Sequence, residues 1–125
     1  MKAYGKKTWM IPDTFYCSVS RDEINKSHEA VCVLNTSDKE ANITLTLFFE
    51  DREPNSGFSA KCASMRTNHI RLDKIVDANG NGIAPETPYA ILVESDTPIV
   101  VQYTRVDTSA SDLALMTTMA YSIDD

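Results

Sequence analysis

Apolar residues return at every second position over long stretches of this chain. In Ile43-Thr44-Leu45-Thr46-Leu47-Phe48-Phe49 the residues Ile43, Leu45, Leu47 and Phe49 fall on one side, the period of a half-buried β-strand. The charged cluster Glu50-Asp51-Arg52-Glu53-Pro54 ends this run, and Asn55-Ser56-Gly57 has turn chemistry. Residues 58–62 and 65–72 read as the next two strands. Strands are expected again at 89–94 and 99–105, separated by the turn-like Ser95-Asp96-Thr97-Pro98. Around 114–121, Leu113, Ala114, Met116 and Ala120 could also line a helix, but Thr117, Thr118 and Tyr121 favour extended backbone and decide for a strand. No segment combines sustained helical periodicity with caps. Roughly eight short strands predict an all-β fold, an antiparallel β-sandwich, in one domain over 1–125. The longest connection, 73–88, holds Gly80, Gly82, Pro85 and Pro88 and reads as an excursion within that domain.

Several strands are apolar on both faces: Val31-Cys32-Val33-Leu34, Ala90-Ile91-Leu92-Val93 and Ile99-Val100-Val101. In a sandwich the partner sheet covers only one face of each strand. With few loops long enough to cover the other, the pattern points to a homo-oligomer.

Composition narrows the function classes. The 125 residues carry 12 Lys+Arg against 18 Asp+Glu, a net charge of −6, which opposes general binding to phosphate backbones or anionic lipid. No apolar run approaches the roughly 20 residues of a membrane span. Lys2, Lys6 and Lys7 are followed by Pro12 and Asp13, which interrupt the apolar segment that a signal peptide needs. Cys17, Cys32 and Cys62 are odd in number and contain no C-x-x-C pair, so free thiols in the cytoplasm are expected. Asn35-Thr36-Ser37 and Asn42-Ile43-Thr44 match the glycosylation triplet, by chance in a chain that is not secreted.

No motif commits the chain to catalysis. Asp77-Ala78-Asn79-Gly80-Asn81-Gly82 matches half a calcium loop, but its twelfth position is Pro88 and the flanks lack helices, so a tight turn is the better reading. His28-Glu29-Ala30-Val31-Cys32 begins like a zinc-protease motif, yet ends in Cys on an expected strand. No metal or cofactor site is expected. Between Lys61 and Lys74, four basic residues (Lys61, Arg66, Arg71 and Lys74) and His69 face the single acid Asp73. Alternation puts Thr67, His69 and Arg71 on one face, a polar strip open to an anion, an acidic partner or a phosphate backbone, or simply to solvent. Further on, Gln102 and Thr104 share a face, while Arg105 points with Tyr103 and Val101 toward the core. An arginine there needs a carboxylate partner or a cavity edge, and Glu29, Glu53 and Asp107 are the candidates.

Longer stretches carry a resemblance. Ser27-His28-Glu29-Ala30-Val31-Cys32-Val33-Leu34-Asn35, Asp51-Arg52-Glu53-Pro54, Arg66-Thr67-Asn68-His69-Ile70-Arg71 and Pro98-Ile99-Val100-Val101-Gln102-Tyr103-Thr104-Arg105-Val106-Asp107 resemble the signatures of the sensory rhodopsin transducer family. Trp9 and Ala120-Tyr121 fit as well, so the likeness spans nearly the whole chain in order. The resemblance implies a small cytoplasmic β-sandwich, usually a homotetramer. In that family it implies binding to the cytoplasmic side of a rhodopsin, with nucleic acid and small ligands such as sugars also suggested. The 73–88 excursion departs from the family pattern.

Residues and resemblance together lead to a non-enzymatic binding module that recognises a protein partner or a small polar ligand. Its expected contact residues are Trp9, His28, Glu29, Arg66, His69, Gln102 and Arg105: Trp9 as a stacking surface, the arginines as forks for oxyanions or hydroxyls, the histidines as pH-sensitive contacts. His28 and Glu29 point to opposite faces if both are extended. One alternative is a nucleic-acid-binding regulator using the 61–74 strip. The less favoured one is an enzyme with His28 or His69 as general base beside Glu29 or Asp107.

Overall fold

The computed structural model describes residues 2–124 and contains eight strands and no helix among them. They are β1 (Lys6–Thr14), β2 (His28–Asn35), β3 (Ala41–Phe49), β4 (Asn55–Cys62), β5 (Arg66–Arg71), β6 (Tyr89–Asp107), β7 (Ala114–Met119) and β8 (Tyr121–Ile123). Every pairing between them is antiparallel, so the all-β sandwich expected from alternation is the observed fold. Its core is read directly from the odd positions: Ile43, Leu45 and Leu47 on β3 and Ile91, Val93, Ile99 and Val101 on β6 are buried together. Each such side chain contributes about 1.5–3 kcal/mol by leaving water. Trp9 and Ile11 bury the inner face of β1, a strand that the sequence reading did not single out. Asn55-Ser56-Gly57 already belongs to β4, and the connection from β3 lies one step earlier, in 50–54.

Two expected strands are one. Residues 89–94 and 99–105 lie within β6, which runs 19 residues without a break. Its first half pairs with β3 and β1, giving a sheet ordered β4-β3-β6-β1-β8. Its second half pairs with β2 and β7, giving β5-β2-β6-β7. Ser95-Asp96-Thr97-Pro98 is the bend between layers rather than a hairpin turn. Pairing with β3 ends at Ser95 and pairing with β2 starts at Val100. The β1 register jumps there, from Thr8 opposite Glu94 to Lys6 opposite Ile99. The turn-forming residues serve the bend: Pro98 has no N–H to give to a ladder, and Asp96 accepts the Asn42 backbone N–H (2.9 Å) and side-chain amide (2.7 Å). Gly5 lies against it at φ +108°, where a Cβ would stand 1.9 Å from the Ile99 carbonyl oxygen. Trp9 Nε1–H is shared between the carbonyls of Ile99 (3.1 Å) and Lys6 (2.9 Å), holding the same corner from within.

The expected 114–121 strand likewise divides between the layers. β7 joins the second sheet and β8 joins β1 in the first, with Ala120 N–H donating to the Val101 carbonyl at the changeover (3.2 Å). Asn35, from one glycosylation triplet, is fully buried. Its amide donates to the carbonyls of Lys39 and Cys62, and its oxygen accepts from Ser37.

Candidate functional site

The bend in β6 brings its two ends together around one carboxyl group. Glu29, on the inner face of β2, is 0% exposed; Tyr103 donates to its Oε1 at 2.7 Å and Tyr89 to its Oε2 at 2.8 Å. Burial pushes the Glu29 carboxyl above its ordinary value, against the pull of the two phenols and of Arg105. Arg105, opposite Glu29 in register, donates from Nε to the Tyr103 hydroxyl (3.2 Å) and reaches Asp13 at 3.5 Å. Of the two settings expected for Arg105, a carboxylate partner or a cavity edge, the structure gives a carboxylate, and Asp13 on β1 supplies the ion pair in place of Glu29, Glu53 or Asp107. Glu29 is linked to it through the tyrosine.

The outer face of the second sheet gathers a different set. In register across the sheet, His69, Cys32, Gln102 and Met119 form one row, and Arg71, Ala30, Thr104 and Thr117 form the next. Gln102 donates to Thr117 Oγ1 (2.6 Å), and Thr117 lies 3.3 Å from the Thr104 hydroxyl. His28 stands at the end of this face, its Nδ1 at 2.8 Å from the Lys26 carbonyl. His28, His69 and Gln102 therefore share a surface, and Glu29 and Arg105 lie on the opposite side of the same strands. That alternation keeps both imidazoles on the other side of the strands from Glu29, so of the two carboxylates the enzyme alternative names, Glu29 and Asp107, Glu29 is not beside either histidine. Among the described residues, no three His, Cys, Asp or Glu side chains are grouped so as to hold a metal ion.

Two expected contact residues are placed otherwise. Trp9 is 7% exposed with its N–H committed to backbone, so it packs the core and offers no stacking face; Glu29 is likewise closed to a ligand. Arg66 is exposed at the start of β5, apart from the His28–Gln102 surface, and donates to the Met65 carbonyl. Within the 61–74 strip, Lys61 reaches Glu40 at 3.7 Å, and Arg71 forks onto Asp73 through two 2.8 Å contacts.

The exposed edge of β7 is the feature that residue patterns alone do not reveal. All six of its residues are exposed, with Leu115 at 73% and Met119 at 57%, and among the described residues no strand pairs with its outer edge. On the sheet faces, Leu34, Phe48 and Met10 are also uncovered. The extended preference of Thr117, Thr118 and Tyr121 identifies the strand but carries no information on which neighbours it lacks.

These features describe a small, bent two-layer β module with an exposed apolar edge. The chain belongs to the Anabaena sensory rhodopsin transducer family, whose sequence model matches residues 4–122. Among solved structures it is similar to the Thermotoga maritima protein 1070, with 35% identity and a TM-score of 0.86 over 96% of this chain and 97% of that one. It is also similar to the Anabaena sensory rhodopsin transducer itself, with 30% identity and a TM-score of 0.75 over 85% of this chain and 92% of that one. Among curated protein sequences, none matches the chain. The family is one of transducers, a signalling-type module rather than a known class of enzyme. No helix is long and apolar enough to cross a membrane among the described residues.

Proposed function

We propose that this protein is a non-enzymatic, homo-oligomeric β-sandwich that passes on a signal by binding a protein partner or a small polar ligand. The observation that carries the reading is β7, an edge strand exposed on both faces that presents Leu115, Met116 and Met119 to water. An isolated chain gains nothing from such an edge, and proteins ordinarily cover or charge one. A second copy, or a partner's strand, satisfies both its backbone groups and its apolar side chains. A tetramer accounts for the further apolar residues at Leu34, Met10 and Phe48, which lie on both sheets. The outer face with His28, His69 and Gln102 is the contact surface left for the partner or ligand; Arg66 is exposed apart from it, and Arg105 lies on the opposite side of the strands. The three free thiols fit a cytoplasmic setting.

Light scattering coupled to size exclusion tests the assembly, and capture of partners by the tagged protein from its own cells tests the recognition. A stable oligomer that retains a partner through the His69–Gln102 face supports the reading. A strict monomer at micromolar concentration overturns the assembly.

A further inference from the structure

A half-open cleft of about 500 Å³ lies where β2 and β5 end beside the loop before β2. Its charged lining is Glu23, Lys26, Arg71, Asp73 and Lys74, with His28 among the other polar groups. Two of its charges are already matched: Arg71 closes its fork on Asp73, and Lys26 reaches Glu23 at 3.3 Å. Although burial works against it, the Arg71 pair keeps the Asp73 carboxyl below its ordinary value, so it stays ionised and the pair is neutral. Lys74 has no carboxylate partner among the described residues. On a chain of net charge −6, this cleft carries a surplus of positive charge.

The wall of the cleft is fixed in advance. Thr108 donates its hydroxyl to the Asn25 carbonyl (2.6 Å) and its N–H to Ser27 Oγ (2.9 Å), and both side chains are buried. Ser27 in turn donates to the Val19 carbonyl (2.7 Å), while Asp22 accepts from the N–H groups of Ile24 and Asn25. A loop stitched this way needs little ordering when a ligand arrives. Because a carbonyl only accepts, His28 Nδ1 carries its proton toward Lys26, which leaves Nε2 for another partner.

We propose that this cleft binds the phosphate group of a small phosphorylated molecule, through the Lys74 ammonium and His28 Nε2, with the neutral Arg71–Asp73 pair as its floor. A carboxylate is less suited, because the bidentate fork it prefers is occupied by Asp73. A phosphate oxygen takes a point-charge ammonium such as Lys74 without a bidentate fork, and His28 Nε2 is the second ring atom left to meet the group. The cleft volume exceeds a bare phosphate and falls in the range of small-ligand sites, roughly 300–1,000 Å³. The inference rests on the small-ligand branch of the proposed function and names its site and chemistry.

Isotope-labelled full-length protein titrated with glycerol 3-phosphate and inorganic phosphate, with glycerol as control, tests it by amide shifts. Saturable shifts confined to Lys26, His28, Arg71 and Lys74, weakened about fivefold or more by Lys74→Gln and unaffected by Lys39→Gln at an exposed lysine outside the cleft, support the assignment. Absence of saturation, or shifts scattered over all surface lysines, overturns it. Tighter binding of a short DNA duplex at the same amides also overturns it, in favour of a phosphodiester polymer. A failed titration on an intact oligomer removes the cleft and leaves the module. A saturable titration on a strict monomer does the reverse.

Discussion

Tyr89 and Tyr103, fourteen positions apart on one strand, donate their hydroxyls to the two oxygens of a single carboxyl group, Glu29. At about 3.3 Å per residue a straight strand would hold these residues roughly 46 Å apart. Two phenols and a carboxylate bridge only about 20 Å between Cα atoms, even fully extended. The shared carboxyl therefore records the bend in β6 and fastens it.

Removing one of those donors leaves a buried carboxylate oxygen without its partner. Tyr103→Phe and Tyr89→Phe are each expected to lose about 1–3 kcal/mol. Thermal denaturation followed by circular dichroism checks this, and an unchanged midpoint in both variants would show that the carboxyl does not fasten the strand.

The pH dependence follows from the direction of the Glu29 shift. A carboxyl raised by burial binds its proton more readily in the folded chain. Its contribution is greatest below the ordinary value of 4.5, and is lost as pH rises through its higher folded value. Wild-type protein should therefore gain stability relative to Glu29→Gln as pH falls from neutral toward 4.5. Carboxyls held low by their partners, such as Asp73 and Asp96, act in the opposite sense in both proteins and cancel from the difference. Parallel melting curves of the two proteins across that range would contradict the assignment.

Gly5→Ala tests the corner from outside. The position combines φ +108° with a backbone oxygen where a Cβ would sit, so the variant must shift the bend. A loss of about 1–3 kcal/mol is expected, seen as a lower urea midpoint.

Trp9 is the sole tryptophan and lies in the core at that same corner. Its fluorescence should be that of a buried indole and move to longer wavelength on unfolding. Trp9→Phe keeps much of the packing but loses the N–H to Ile99 and Lys6, so a drop of several degrees in Tm is expected by differential scanning calorimetry.

For β7, charge at its exposed apolar positions should dissolve the proposed oligomer and spare the fold. Leu115→Lys with Met119→Lys is expected to shift light-scattering mass to the monomer while circular dichroism remains that of the wild type. Retention of the oligomer would move the interface away from this edge.

Period-two alternation made the sandwich and most of its core legible, because Ile43, Leu45 and Leu47 must face one way once β3 is extended. It also placed Arg105 among inward residues and so demanded a carboxylate partner or a cavity edge for it. What it did not reveal depends on three dimensions. Ser95-Asp96-Thr97-Pro98 has the same chemistry whether the chain reverses or merely bends, and only the ladders of β1, β2 and β3 decide between them. Trp9 was read as a surface for stacking, since nothing local distinguishes an indole that packs inward from one that waits for a ligand. Glu29 showed its inward direction by parity, yet the phenols that reach it come from opposite ends of another strand.

Since β6 lies inside both sheets, neither layer is free to come apart while the other stays folded. Amides near its centre, at Ile91, Val93 and Val101, should exchange with solvent only when the whole chain opens. The same continuity gives displacement a covalent path. Gln102 on the outer face of one layer and Leu92 in the other are ten residues apart on a single uninterrupted strand.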